Sequence, residues 1–101
     1  MTAAAPGPIE VVWHVEATYA PDGAESRAPF RAEHIARLQH LKAEGTLIEA
    51  GAFTDVSATV MIVRAATEEE VLELARADVY MRNGVWVEIR VRPFGRVREA
   101  T

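Results

Sequence analysis

The sequence predicts an α+β fold in which two helices lie on one face of a four-stranded antiparallel sheet. Three observations lead there. Ile9–Thr18 and Val85–Phe94 alternate apolar and polar residues with a period of two. Phe30–Glu44 and the segment after Thr67 carry apolar residues at helical spacing. The elements run strand, helix, strand, strand, helix, strand, and the split βαβ arrangement called ferredoxin-like buries both helices of that order against one sheet. Right-handed crossovers fix its hand. With 101 residues, the chain has room for one core. That domain is expected over residues 9–97, between a disordered lead-in at 1–8 and a short tail at 98–101.

In the first strand, Ile9, Val11, Trp13 and Val15 form an apolar face, with Glu10, Val12, His14 and Glu16 opposite. Tyr19–Pro29 is rich in breakers and reads as a loop. The helix that follows is stopped by Gly45, a residue suited to a left-handed cap. Leu47–Phe53 forms a second strand interrupted by Gly51, and a short turn leads to the third, Ala58–Ala65. Thr67 and Glu70 match a capping box, Thr67 capping and Glu70 reaching back, and open a helix through Val71, Leu72, Leu74 and Ala75. Asp78–Gly84 reads as a turn or helical coda. In the last strand Val85, Val87, Ile89 and Val91 alternate with Trp86, Glu88, Arg90 and Arg92. The sheet face carrying Val12, His14 and Trp86 is too apolar to stay wet, so a second copy of the chain is expected to cover it.

Fifteen acids against 11 bases give a net charge of -4. That balance argues against nucleic-acid or anionic-membrane partners, which need a basic patch. The chain has no cysteine, which excludes disulfides, thiolate nucleophiles and iron–sulfur clusters and fits a reducing cytoplasm. MTAAAPGP lacks the basic and apolar regions of a secretory signal, and no apolar run approaches the roughly 18 residues that cross a bilayer. A cytoplasmic location is expected.

At about 100° per residue, His34 falls inside the apolar arc of Phe30, Leu38 and Leu41, whereas His40 falls outward beside Glu33. The topology brings the start of the first helix and the end of the second to one sheet edge. His34 and Asp78 therefore meet at a rim shared with the Tyr19–Pro29 loop and the turn carrying Thr54, Asp55 and Ser57. A carboxylate beside an imidazole selects its tautomer and stabilises its protonated form. The second nitrogen is then a competent general acid or base. An inward histidine near a helix start serves equally as a structural residue, and Asp78 as a cap for the N–H of Tyr80 or Met81. Two carboxylate oxygens allow both roles.

Arg31, near the rim, suits an anionic substrate group, or pairs with Asp78 or Glu33 to hold the corner. Tyr80 has an apolar body and a polar tip, and either packs or lines the pocket. Tyr19 and Arg27 belong to a loop whose direction the sequence does not give, and His14 lies on the far sheet face in a structural role. The three histidines sit on different faces, so no metal site is expected. No phosphate-cradling glycine loop or nucleophile elbow appears.

Arg31-Ala-Glu-His34-Ile-Ala-Arg37-Leu38, Glu44-Gly45-Thr46-Leu47 and Ala50-Gly51 resemble the RxxHxxxL, EGxL and AG signatures of YciI-like (YCII-related) proteins. Asp78-Val79-Tyr80, Gly84-Val85 and Val91-Arg92-Pro93-Phe94 continue the resemblance in order, over Ile9–Val97. The resemblance implies a ferredoxin-like fold that dimerises through its sheets as an α/β barrel. It also implies an active site on a His–Asp pair, here His34 and Asp78, working without metal or organic cofactor. One relative of this kind is a dehydrochlorinase acting on a chlorinated hydroxyhydroquinone. Likeness to muconolactone isomerases in overall fold also points to proton transfer on small oxygenated rings. Two departures stand out. Val79 replaces the family's proline, whose ring would rigidify the turn that aims the carboxylate. The turn between the second and third strands is short where many members insert a pocket wall, which implies a more open site.

Two functions follow. One is a cofactor-independent lyase or isomerase: His34 moves a proton, Asp78 orients and charges it, and Arg31 or Tyr80 holds an anionic or phenolic oxygen. The other is a non-catalytic dimer that binds a small metabolite or partner, with the pair as a structural lock. A catalytic pair leaves one imidazole nitrogen open to a cleft, and a lock satisfies both with protein atoms.

Overall fold

A computed structural model describes residues 7–100. Strand β1 (Ile9–Tyr19) leads through a helical turn, α1 (Gly23–Ser26), and a 3-10 turn at Ala28–Phe30 into α2 (Arg31–Glu44). Strands β2 (Leu47–Ala52) and β3 (Ala58–Val63) follow, then α3 (Glu68–Arg76), the short α4 (Val79–Arg82) and β4 (Trp86–Val97). The strand order is β2-β3-β1-β4, with every neighbouring pair antiparallel. β1 and β2 therefore run parallel with β3 between them, the split βαβ of the ferredoxin-like fold. No helix among the described residues is long and apolar enough to cross a membrane. The first six residues of the lead-in expected at 1–8, and residue 101 of the tail, lie outside the described residues.

Local chemistry sets the element ends. Gly45 adopts a φ of 83° and returns its N–H to Lys42 O, ending α2 with a residue that has no Cβ to clash there. Thr67 accepts the N–H of Glu70 at 3.2 Å, and the Glu70 carboxylate takes the N–H of Ala66 at 3.1 Å. The reciprocal arm of the capping box thus lands one residue before Thr67. The β2–β3 turn places Val56 at a φ of 57°. A β-branched side chain rarely tolerates that region, so the turn is held by its surroundings.

The core lies between the sheet and the helices. Val15, Ala17 and Tyr19 of β1 meet Met61 and Val63 of β3 beneath Leu38, Val71 and Ala75 of the helices. Each fully buried valine contributes about 1.5–3 kcal/mol, so the core outweighs the surface ion pairs in holding the fold.

The start of β4 departs from the expected alternation. Thr18 pairs with Glu88, but the next residue, Tyr19, pairs with Trp86. Val87 is thus an extra residue on β4, a β-bulge that reverses which face the strand's first residues present. Trp86, expected on the far face, is buried on the helix side, and Val87, expected inside, is 56% exposed. The far face keeps Val12, Val60 and Ile62, with His14 5.9 Å from the ring of Phe94.

Candidate functional site

His34 sits one turn into α2 and faces inward, only 4% exposed. Asp78 has extended backbone between α3 and α4, and its carboxylate is wholly buried. Oδ1 accepts the N–H of Tyr80 at 2.9 Å, which caps α4, and lies 2.8 Å from His34 Nδ1. Oδ2 accepts Arg37 Nη1 at 3.0 Å, while Arg37 Nη2 donates to Leu74 O at 2.8 Å. The cap and the imidazole contact thus coexist, as two lone-pair-rich oxygens permit. Val79, in the family's proline position, takes the first helical position of α4, where a proline would forfeit no intrahelical bond. With valine there, Asp78 still holds all three donors.

Burial pushes the Asp78 carboxyl toward protonation. The hydrogen bonds of His34 and Tyr80 N–H and the electrostatic pull of His34 and Arg37 outweigh it, so the group lies below its ordinary range. An ionised carboxylate only accepts hydrogen bonds, so Nδ1 carries the proton of a neutral ring and Nε2 holds the lone pair. Among the described residues no protein atom is hydrogen-bonded to Nε2. The ring stacks on Tyr80 at 3.8 Å and meets the edge of Trp86 at 5.2 Å. Aromatic walls on two sides fix its plane.

His34 lines a cavity of about 310 Å³. Ile35 and Leu38 of α2 and Phe53 and Val56 of the β2–β3 turn supply apolar walls. Tyr19, Tyr80, Thr54 and Thr59 bring hydroxyls, and Thr59 donates to the Tyr19 hydroxyl at 3.2 Å. Gly23 lets the Tyr19 ring take its place, since a Cβ there would fall 2.7 Å from Tyr19 Cδ1. Arg27 and Arg31 complete the lining. Burial pushes the Tyr80 hydroxyl up, against the pull of those two cations, so it remains a neutral donor.

All four residues singled out from sequence converge here: His34, Arg31 and Tyr80 line the cavity, and Asp78 stands behind the imidazole. The structural alternative for Arg31 is corrected. The cation on Asp78 is Arg37, and Glu33 pairs with Arg82 at 3.3 Å. Arg37 is the residue that sequence reasoning missed. Its place three residues after His34, on the same flank of the helix, was the available signal. His40 is exposed and pairs with Glu44. Asp55 accepts the N–H of Ser57 and shapes the turn. Among the described residues no three histidine or carboxylate side chains gather as a metal site.

A family model for the YCII-related domain matches residues 11–95. Protein YciI of Escherichia coli is 34% identical over 86 residues, covering 75% of this chain and 88% of that protein. Protein YciI of Shigella flexneri matches to the same extent. Among solved structures, the 5-chloro-2-hydroxyhydroquinone dehydrochlorinase of Burkholderia phenoliruptrix, in complex with 2,5-dihydroxybenzoquinone, superposes with a TM-score of 0.70. Its sequence is 20% identical, and the match covers 80% of this chain and 90% of that one.

Proposed function

The chain belongs to the YCII-related family, and on that premise we propose a cofactor-independent enzyme that moves protons on a small oxygenated ring. One observation carries the reading. His34 has Nδ1 committed to a buried, ionised carboxylate, while its ring borders a cavity and Nε2 has no protein partner among the described residues. In this reading Nε2 removes a proton from a carbon or hydroxyl next to a carbonyl. The imidazolium that forms is stabilised by Asp78, whose orientation Arg37 fixes from the far side. The Tyr80 hydroxyl and the Arg31 guanidinium steady the oxygen on which negative charge develops. Returning the proton to a different carbon gives an isomerisation. Losing a leaving group from the adjacent carbon gives an elimination, the reaction class named for the dehydrochlorinase of similar fold.

The test is deuterium exchange at acidic C–H bonds of a panel of small phenolic and lactone acids, followed by proton NMR. His34→Asn is expected to slow exchange about 10²–10⁴-fold with the fold intact. Equal rates in the two proteins refute the proton-transfer role. The alternative, a non-catalytic metabolite binder, draws on the 4% exposure of His34. It expects ligand binding without exchange in either protein.

We also propose a homodimer closed through the far sheet face, where Phe94 is 43% exposed beside Val12, His14 and Ile62. Sedimentation of the wild-type chain as a dimer and of Phe94→Asp as a monomer is the expected result. Two monomeric species refute it.

A further inference from the structure

Nearly every base of this acidic chain is matched by a carboxylate. Among the described residues the exceptions are Arg27, Arg31 and Arg92, and two of the three line the same cavity. No aspartate or glutamate joins them there. A chain of net charge -4 thus holds two unpaired guanidinium groups around one acid-free cavity. Both act on the hydroxyl of Tyr80, which places them within electrostatic reach of one position inside the cavity. One cation suffices for the oxygen beside the proton-transfer centre. The second is left over.

We infer that the ligand carries a carboxylate in addition to the reacting oxygen, and that Arg27 receives it while Arg31 stays with the reacting oxygen. This rests on the proton-transfer reading for the reacting oxygen alone. A guanidinium fork matches a planar carboxylate with two parallel hydrogen bonds. The remaining walls, Ile35, Leu38, Phe53 and Val56, suit the faces of a single ring. A cavity of about 310 Å³ lies at the lower end of ligand pockets and admits a monocyclic acid. The site offers no glycine-rich backbone cradle of the kind that holds phosphate, so a carboxylate is favoured over a phosphate ester. Arg27 is then a specificity residue, separating acids from the corresponding neutral phenols and amides.

The test is calorimetric titration of the full chain with 2,5-dihydroxybenzoate, 2,5-dihydroxybenzamide and hydroquinone at fixed ionic strength. The imidazole signals of His34 are followed by NMR in parallel. The acid is expected to bind about tenfold or more tighter than the amide, the gain of one charge-assisted pair. Arg27→Gln should shrink that ratio to about twofold, and Arg27→Lys should retain part of it. Equal affinity for acid and amide in the wild type overturns the inference even if the variants do not fold. So does an undiminished ratio in a folded Arg27→Gln, or no binding by any probe. The two readings also fail separately. Equal binding of all three probes with shifts at His34 removes the carboxylate and leaves the proton transfer. Preference for the acid with His34 signals unmoved does the reverse.

Discussion

Asp78 and Glu10 each gather several hydrogen-bond donors, yet they do different work. Glu10, on β1, accepts Arg64 Nε at 2.7 Å and Arg96 Nη1 at 2.8 Å, with Arg98 3.7 Å away. Its carboxyl is held at about 2 by hydrogen bonds from Arg64 and Arg96. Arg64 also donates to Gly45 O, so the cluster ties β1 and β4 to the end of α2. Water reaches it from the Arg64 side, where that residue is 44% exposed, while Glu10 keeps 17% of its side chain open. Asp78 has one arginine, Arg37, beside an imidazole and the Tyr80 N–H, but it is shut away from solvent. The comparison teaches that the number of cations around a carboxylate does not measure its worth. Where water can replace a lost partner the pair is nearly dispensable, and where it cannot, removal strands a charge. The buried set also leaves one imidazole nitrogen without a protein partner on a residue that lines a cavity.

The largest break in that comparison is Asp78→Asn. Arg37 loses its counter-charge and His34 the carboxylate that orients it, and a stability loss of about 3 kcal/mol is expected, toward the lower end for a buried pair because Arg37 is partly wet. Thermal denaturation should show a Tm fall of roughly 12–24 °C. Next comes Arg37→Gln, at about 1–2 kcal/mol for two charge-assisted bonds. Arg37→Lys should recover less than half, since one ammonium does not span Asp78 and Leu74 O.

Acid titration sharpens the contrast further. Glu10 ionises at about 2 in the fold against 4.5 ordinarily, so its stabilisation is complete above about pH 4.5 and vanishes as the pH falls to about 2. Glu10→Gln should flatten the stability curve in that window and modestly lower the plateau above it, the two proteins converging as the pH falls to about 2. Asp78 has the same sign, with stability present above its ordinary value of 3.8 and lost on acidification below it. The smallest effect is that of salt. At 1 M NaCl, where the screening length is about 3 Å, the difference between wild type and Glu10→Gln should disappear while that of Asp78→Asn persists.

The meeting of His34 and Asp78 was legible because helical spacing and element order are enough to fix it. Neither depends on fine backbone geometry. Trp86 was not legible. With Trp86 and Val87 both apolar, either phase of β4 satisfies the alternation, and only the paired strand decides. Arg37 escaped notice because a cation on a half-exposed flank reads as solvated surface until its partner is placed. Arg27 and Tyr19 lay in a segment whose path the breakers Pro21, Gly23 and Pro29 leave undetermined. The left-handed Val56 could not be expected at all, since its residue type argues against that backbone.

The surplus valine on β4 has a consequence for how such a protein can vary. From Glu88 onward the strand keeps step with its neighbour, and before it the phase is inverted, so the indole beside the imidazole answers to a separate frame. Deleting Val87 would rotate the strand's tip by half a pleat, sending the indole toward water without moving a residue beyond Glu88. A one-codon change can thus swap the panel behind the histidine while the rest of the sheet stays put.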